Sequence, residues 1–113
     1  MRATSVLVLG GILAGLAGCG STIDDRVPRF DGYQFRGKAK GTDKNSLAPF
    51  EVVVRDAGKS VEGAREAGRY QGTTYCIHNF GTSEIIWTNG PDAPDGALRI
   101  SDGNLILTGR CDP

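Results

Sequence analysis

Asp102-Gly103 stands between two short runs, residues 97–101 and 104–109, in which apolar and polar residues alternate. An Asp-Gly pair in that setting favours a two-residue turn with positive φ at both central positions, because its twist matches that of the strands it joins. The chain is therefore committed to an antiparallel hairpin near its end. The rest of the sequence has to supply something that covers one face of that sheet.

The segment from Val61 to Phe80 supplies it. Ala64, Gly68, Gly72 and Cys76 recur at every fourth position, joined on the same side by Val61 and Tyr75, while Glu62, Arg65, Glu66 and Arg69 lie largely elsewhere. Ser60 is placed to cap the first turn, Glu62 complements the helix dipole, and Gly81 supplies a left-handed stop. A stripe of small residues lets a helix sit close to the sheet. The same glycines cost about 1 kcal/mol each relative to alanine, so a break near Gly72 with residues 73–77 as a strand is the competing reading. Upstream, Tyr33 and Phe35 alternate with polar residues through Lys40, which predicts a strand starting near Phe30. Residues 50–55, centred on Val52, Val53 and Val54, predict a second. The loop composition of residues 41–46 makes the two a long-looped hairpin. A further strand is expected over residues 83–88, followed by a rigid turn at residues 89–96. Strand, strand, helix and three strands define a small α+β domain, ββαβββ, with the helix packed on one sheet.

The first residues carry a different signal. Met1 and Arg2 give a positive start, residues 6–16 an apolar core, and Leu16-Ala17-Gly18-Cys19 a small-residue junction. The apolar core is too short to span a bilayer, which takes about 20 residues. Position, apolar core and the Leu-Ala-Gly-Cys order together resemble the type II signal peptides of bacterial lipoproteins. That resemblance implies cleavage between Gly18 and Cys19, acylation of Cys19 with chains such as palmitate, and loss of residues 1–18. Two or three acyl chains on one residue give stable anchoring where a single chain is marginal. Gly20 and Ser21 in place of an inner-membrane retention aspartate favour the outer membrane, facing the periplasm. Residues 19–29, polar and without periodicity, read as a lipidated tether, and residues 30–113 as the domain.

Cleavage would leave 95 of the 113 residues, with 12 basic against 13 acidic side chains. A chain so near neutrality offers no net electrostatic pull toward nucleic acid or anionic headgroups. A domain of this size often needs a covalent staple. With Cys19 consumed by lipid, Cys76 and Cys111 remain as a pair in an oxidising compartment, and a disulfide tying the helix end to the last strand is expected. The Cys-x-x-Cys spacing of redox-active thiols is missing.

No other chemistry stands out. Cys76 and His78 lie two residues apart, about 200° around a helix, so they cannot share a metal there, although on a strand they would share a face. Asn89, Asp92 and Asp95 carry oxygens, but their spacing lacks the bidentate glutamate of an EF-hand and reads as a surface turn. Glu62, Arg65, Glu66 and Arg69 read as a solvated face of i,i+3 and i,i+4 pairs. Trp87, Tyr33, Tyr70 and Tyr75 are core residues or, failing that, a sugar-stacking platform. No catalytic residue, metal or cofactor is assigned.

The stretch from Tyr75-Cys76 to Gly90-Pro91-Asp92, with Gly81, Ser83, Ile85 and Trp87 between, resembles small alphaproteobacterial-type lipoproteins of no assigned activity. The expectation is a membrane-anchored envelope lipoprotein, non-enzymatic, held to the bilayer through Cys19 and binding another envelope protein, with no nucleic acid partner. A glycan-binding or hydrolytic accessory acting on cell-wall material is the alternative.

Overall fold

In the computed structural model, residues 28–113 are described; the cleavage junction Gly18-Cys19, the lipidation site Cys19 and tether residues 20–27 lie outside them. Two long strands form the centre. β2 (Pro49–Val54) alternates half-buried and buried residues along its length, and β5 (Asn104–Cys111) does the same until its last turn outward at Arg110. They pair antiparallel with Phe50 opposite Gly109, Val52 opposite Leu107 and Val54 opposite Leu105. β1 (Gly37–Gly41) adds to the outer side of β2. β3 (Ile85–Asn89) and the short β4 (Arg99–Ser101) share the far edge of β5. All four pairings are antiparallel, and with α1 (Val61–Phe80) they give the expected α+β order.

The local signals act as their chemistry requires. Asp102 and Gly103 take φ of 53° and 79° and join β4 to β5, with Ser101 opposite Asn104. Ser60 accepts the backbone N–H of Gly63 at 3.0 Å, and Gly81 closes α1 at φ 71° with its N–H on Ile77. α1 runs unbroken through Gly72, so residues 73–77 are helical and not a strand.

The first strand differs most from expectation, while β3 and β4 each start two residues later than expected, at Ile85 and Arg99. The first strand begins at Gly37, not near Phe30, because Asp31 and Gly32 take positive φ (53° and 78°) and fold residues 30–33 into a turn closed by two hydrogen bonds between Phe30 and Tyr33. Phe35 then dips into the core ahead of β1.

The core lies between α1 and one sheet face. Phe35, Phe50, Val52, Val54, Leu105 and Leu107 fill it from the sheet side, and Ala64, Ala67 and Cys76 from the helix. The small-residue stripe sets how closely the layers meet. A Cβ on Gly68 would stand 2.5 Å from Leu107 Cδ1, and one on Gly72 would stand 2.7 Å from the Trp87 ring, well inside contact distance. Cys76 and Cys111 are disulfide-bonded with Cα atoms 5.5 Å apart, both fully buried, pinning the end of α1 to the end of β5. Among the described residues, no helix is long and apolar enough to cross a membrane.

Candidate functional site

One helix covers only one face of the sheet, and the register fixes what the other face carries. Gly37, Ala39 and Gly41 of β1 pair with the buried Val54, Val52 and Phe50 and so look toward α1. Lys38 and Lys40, in the alternate positions, look away from it opposite Val53 and Glu51. Arg36 and Arg55 continue the same alternation one step beyond the strand ends, joined by a 2.8 Å bond from the Arg55 N–H to the Arg36 carbonyl. Across the sheet the uncovered face continues with Ile106, Thr108 and Arg110 of β5, Ile86 of β3 and Arg99 of β4. Six cations thus share this face with Glu51 and, one step beyond the ends of β3 and β5, Glu84 and Asp112, joined by a 2.9 Å bond from the Asp112 N–H to the Glu84 carbonyl.

Four of them are concentrated. Arg36, Lys38, Lys40 and Arg55 surround a shallow depression of about 260 Å³ whose floor is the half-buried Val53. Cations on one strand at alternate positions stand about 7 Å apart, and the neighbouring strand lies about 5 Å away. None of the four side chains is ion-paired within the described residues. Placing Arg36 directly opposite Arg55 costs stability, since like charges facing across a strand pair repel. Chemically the depression can take an anion or an array of them.

The opposite side of the molecule is built in a contrasting way. Arg65 was expected on a solvated helix face, yet it is only 8% exposed. Loop residues 89–95 fold back over α1, and the Arg65 guanidinium donates to the carbonyls of Pro91 (2.8 Å) and Ala93 and to the Asp95 carboxylate. Its Nε lies 3.4 Å from Glu62 but makes no hydrogen bond. Arg69 bridges Asp92 and Glu66. The hydrogen bond from Arg69 holds the Asp92 carboxyl below its ordinary range, and the same bond raises the pKa of Arg69. The carboxylates once considered for cation binding are thus spent on arginines. Among the described residues no group of three or more His, Cys, Asp and Glu side chains is placed to hold a metal ion.

The other singled-out residues have structural surroundings. Cys76 is in the disulfide core while His78 is exposed, on a different side of α1. Trp87 packs edge-on to Phe50 with ring centroids 5.6 Å apart. Tyr75 stacks near Phe50 and donates its hydroxyl to Leu47 at 2.7 Å, and its partial burial raises its pKa by disfavouring the phenolate. Tyr33 and Tyr70 remain 46% and 44% exposed. The basic depression escaped the sequence reading, although Arg36-Gly37-Lys38-Ala39-Lys40 displays its signal: cations at every second position of a strand, separated by residues too small to compete for the face. Comparison of the chain with family models, curated proteins and solved structures gives no match.

Proposed function

We propose that the chain is a lipid-anchored envelope lipoprotein, attached through acylated Cys19, whose domain is a non-enzymatic binding module for an anionic partner in the envelope. The observation that carries the binding role is the uncovered sheet face, where Arg36, Lys38, Lys40 and Arg55 lack ion-pair partners within the described residues. Cations gathered at a cost to stability are best explained by a ligand that repays them. The anchoring role rests on Leu16-Ala17-Gly18-Cys19 and the apolar residues before it. The hydrolytic alternative is less well supported, because Glu62, Glu66, Asp92 and Asp95 pair with Arg65 and Arg69 instead of facing an open cleft.

The test has two arms. Metabolic labelling with a palmitate analogue should mark the native chain and not a Cys19→Ala variant; an unlabelled native chain refutes the anchor. Crosslinking in the intact envelope should then capture a partner through Lys38 or Lys40, and capture that survives Lys38→Gln with Lys40→Gln refutes this face as the binding surface.

A further inference from the structure

We infer that the uncovered sheet face docks flat on anionic phospholipid headgroups of the membrane that holds the anchor, so that α1 and the loop over it point away from the bilayer. The inference rests on the lipoprotein reading above and names the occupant of its binding surface.

Three observations select a lipid surface over other anions. The first is charge complementarity: six cations, Arg36, Lys38, Lys40, Arg55, Arg99 and Arg110, are distributed over a sheet face beside three acids, Glu51, Glu84 and Asp112, and the four around the depression have no ion-pair partner within the described residues, a layout suited to a field of separate headgroups. Between them Val53, Ile106 and Ile86 present short aliphatic side chains, Ile86 being 53% exposed. The large aromatic rings of Trp87, Phe50 and Tyr75 are all turned to the helix side, which leaves this face without the stacking platforms that single-stranded nucleic acid uses.

The second is where the chain leaves the domain. Arg29, one residue after the first described position, lines a second depression together with Tyr33, Lys59 and Arg36, and Arg36 also lines the first. The link to the anchor therefore departs from one edge of the domain, beside the start of α1, where Phe30 packs on Tyr70 and Asp31 accepts from Ser60, and Arg36 is shared between this edge and the basic depression.

The third is reach. Nine residue steps separate Cys19 from Pro28 and can span at most about 30 Å when fully extended. An acylated Cys19 keeps Pro28, and with it the near edge of the domain, within that distance of the headgroups at all times. A weak surface attraction is then converted into persistent contact, because the second binding event is intramolecular.

Binding to vesicles tests this with the full chain carrying Cys19→Ser, which removes acylation. The apolar residues 6–16 remain in this variant, so the readout is the ratio of affinity for phosphatidylglycerol-containing vesicles to that for pure phosphatidylcholine, in which adsorption common to both cancels. The expected ratio is well above one and falls with added salt. Lys38→Gln should lower it about fivefold, and Arg36→Gln, Lys38→Gln, Lys40→Gln and Arg55→Gln together on the order of several hundredfold. Lys44→Gln, in the β1–β2 loop, should leave it close to the parent value. All these side chains are exposed, and a circular dichroism melt coincident with the parent's checks that each variant folds. A ratio near one, or equal losses for Lys44→Gln and Lys38→Gln, overturns the docking. So does saturable binding of inorganic phosphate by the same four residues without vesicle preference, which would make the depression a small-anion site. Palmitate labelling is independent of this ratio, so a failed anchor and a failed docking face are read separately.

Discussion

Reducing the single disulfide should remove a large share of the domain's stability. Cys76 and Cys111 are 35 residues apart in sequence, and confining a loop of that length in the unfolded chain is worth about 4 kcal/mol at 25 °C in the chain-entropy treatment. The described domain has a total stability of about 4 to 13 kcal/mol at typical values per residue, so the crosslink is a third of it or more. Reduction is a cleaner perturbation than replacement: both sulfurs are fully buried, and serine would bring hydroxyls into an apolar core. Urea titration with and without reductant, followed by the fluorescence of Trp87, the only tryptophan, reads the difference in the core, where Trp87 packs against Phe50. A loss of about 4 kcal/mol moves the midpoint by roughly 2 to 4 M for a domain of this size. Alkylation before reduction should modify neither Cys76 nor Cys111. Uptake of the reagent at either residue refutes the pairing. A loss below about 1 kcal/mol with both thiols verified free refutes the energetic argument and means that the reduced, unfolded chain is already compact.

Arg65→Met should cost about 2 to 3 kcal/mol, since it strands the carbonyls of Pro91 and Ala93 that the guanidinium satisfies, and amide exchange should quicken across residues 89–95. Arg65→Lys should recover only part of this, because one ammonium cannot fork between carbonyls and a carboxylate. Gly68→Ala should be net destabilising by about 1 to 2 kcal/mol despite the better helix propensity of alanine, because the new methyl meets Leu107; Gly58→Ala, where nothing stands within 4 Å of the added carbon, should be neutral or slightly stabilising in the same thermal melts. The Asp92 carboxyl is depressed by its bond to Arg69, so that pair's support of the loop is present above the ordinary carboxylate range and lost as pH falls through the lower folded value. An NMR titration of Asp92 should show the midpoint return to the ordinary range in Arg69→Gln.

Features set within a few residues were largely legible in the chain, and of those set by distant pairing the Cys76–Cys111 disulfide was legible because only two cysteines remain after Cys19, while the burial of Arg65 was not. Ser60, Gly81 and Asp102-Gly103 act through neighbours in sequence, so their chemistry alone places the ends of α1 and the β4–β5 turn. The stripe Ala64, Gly68, Gly72, Cys76 also survived, because helical period and side-chain size together determine a close approach to the sheet. Arg65 was misread for the opposite reason. Its spacing from Glu62 and Arg69 is that of an exposed ion-pair ladder, and its burial comes from a loop more than twenty residues away folding over it. Asp31-Gly32 is a local signal that acts yet is masked in the sequence: it forms the same positive-φ turn as the later hairpin, but Tyr33 and Phe35 continue an alternating pattern past it that reads as strand.

Net charge was the least informative quantity, and the fold explains why. Thirteen basic and thirteen acidic residues sum to zero, but a sheet with one helix on it has two unlike outer surfaces, and the strand register sorts the charges between them. Glu62, Glu66, Asp92 and Asp95 collect around Arg65 and Arg69 on the helix side. Of the nine other cations among the described residues, six share the opposite face, with Glu51, Glu84 and Asp112. Lysines on the edge strand β1 have an ordinary role in discouraging edge-to-edge association, and Lys38 and Lys40 serve it. Edge protection has no use for Arg110 on the central strand β5, nor for Arg36 set against Arg55 where repulsion opposes folding. A surface whose cations go beyond what the edge requires, and whose facing arginines work against the fold, is the part of this small domain with the most freedom to be shaped by what it binds.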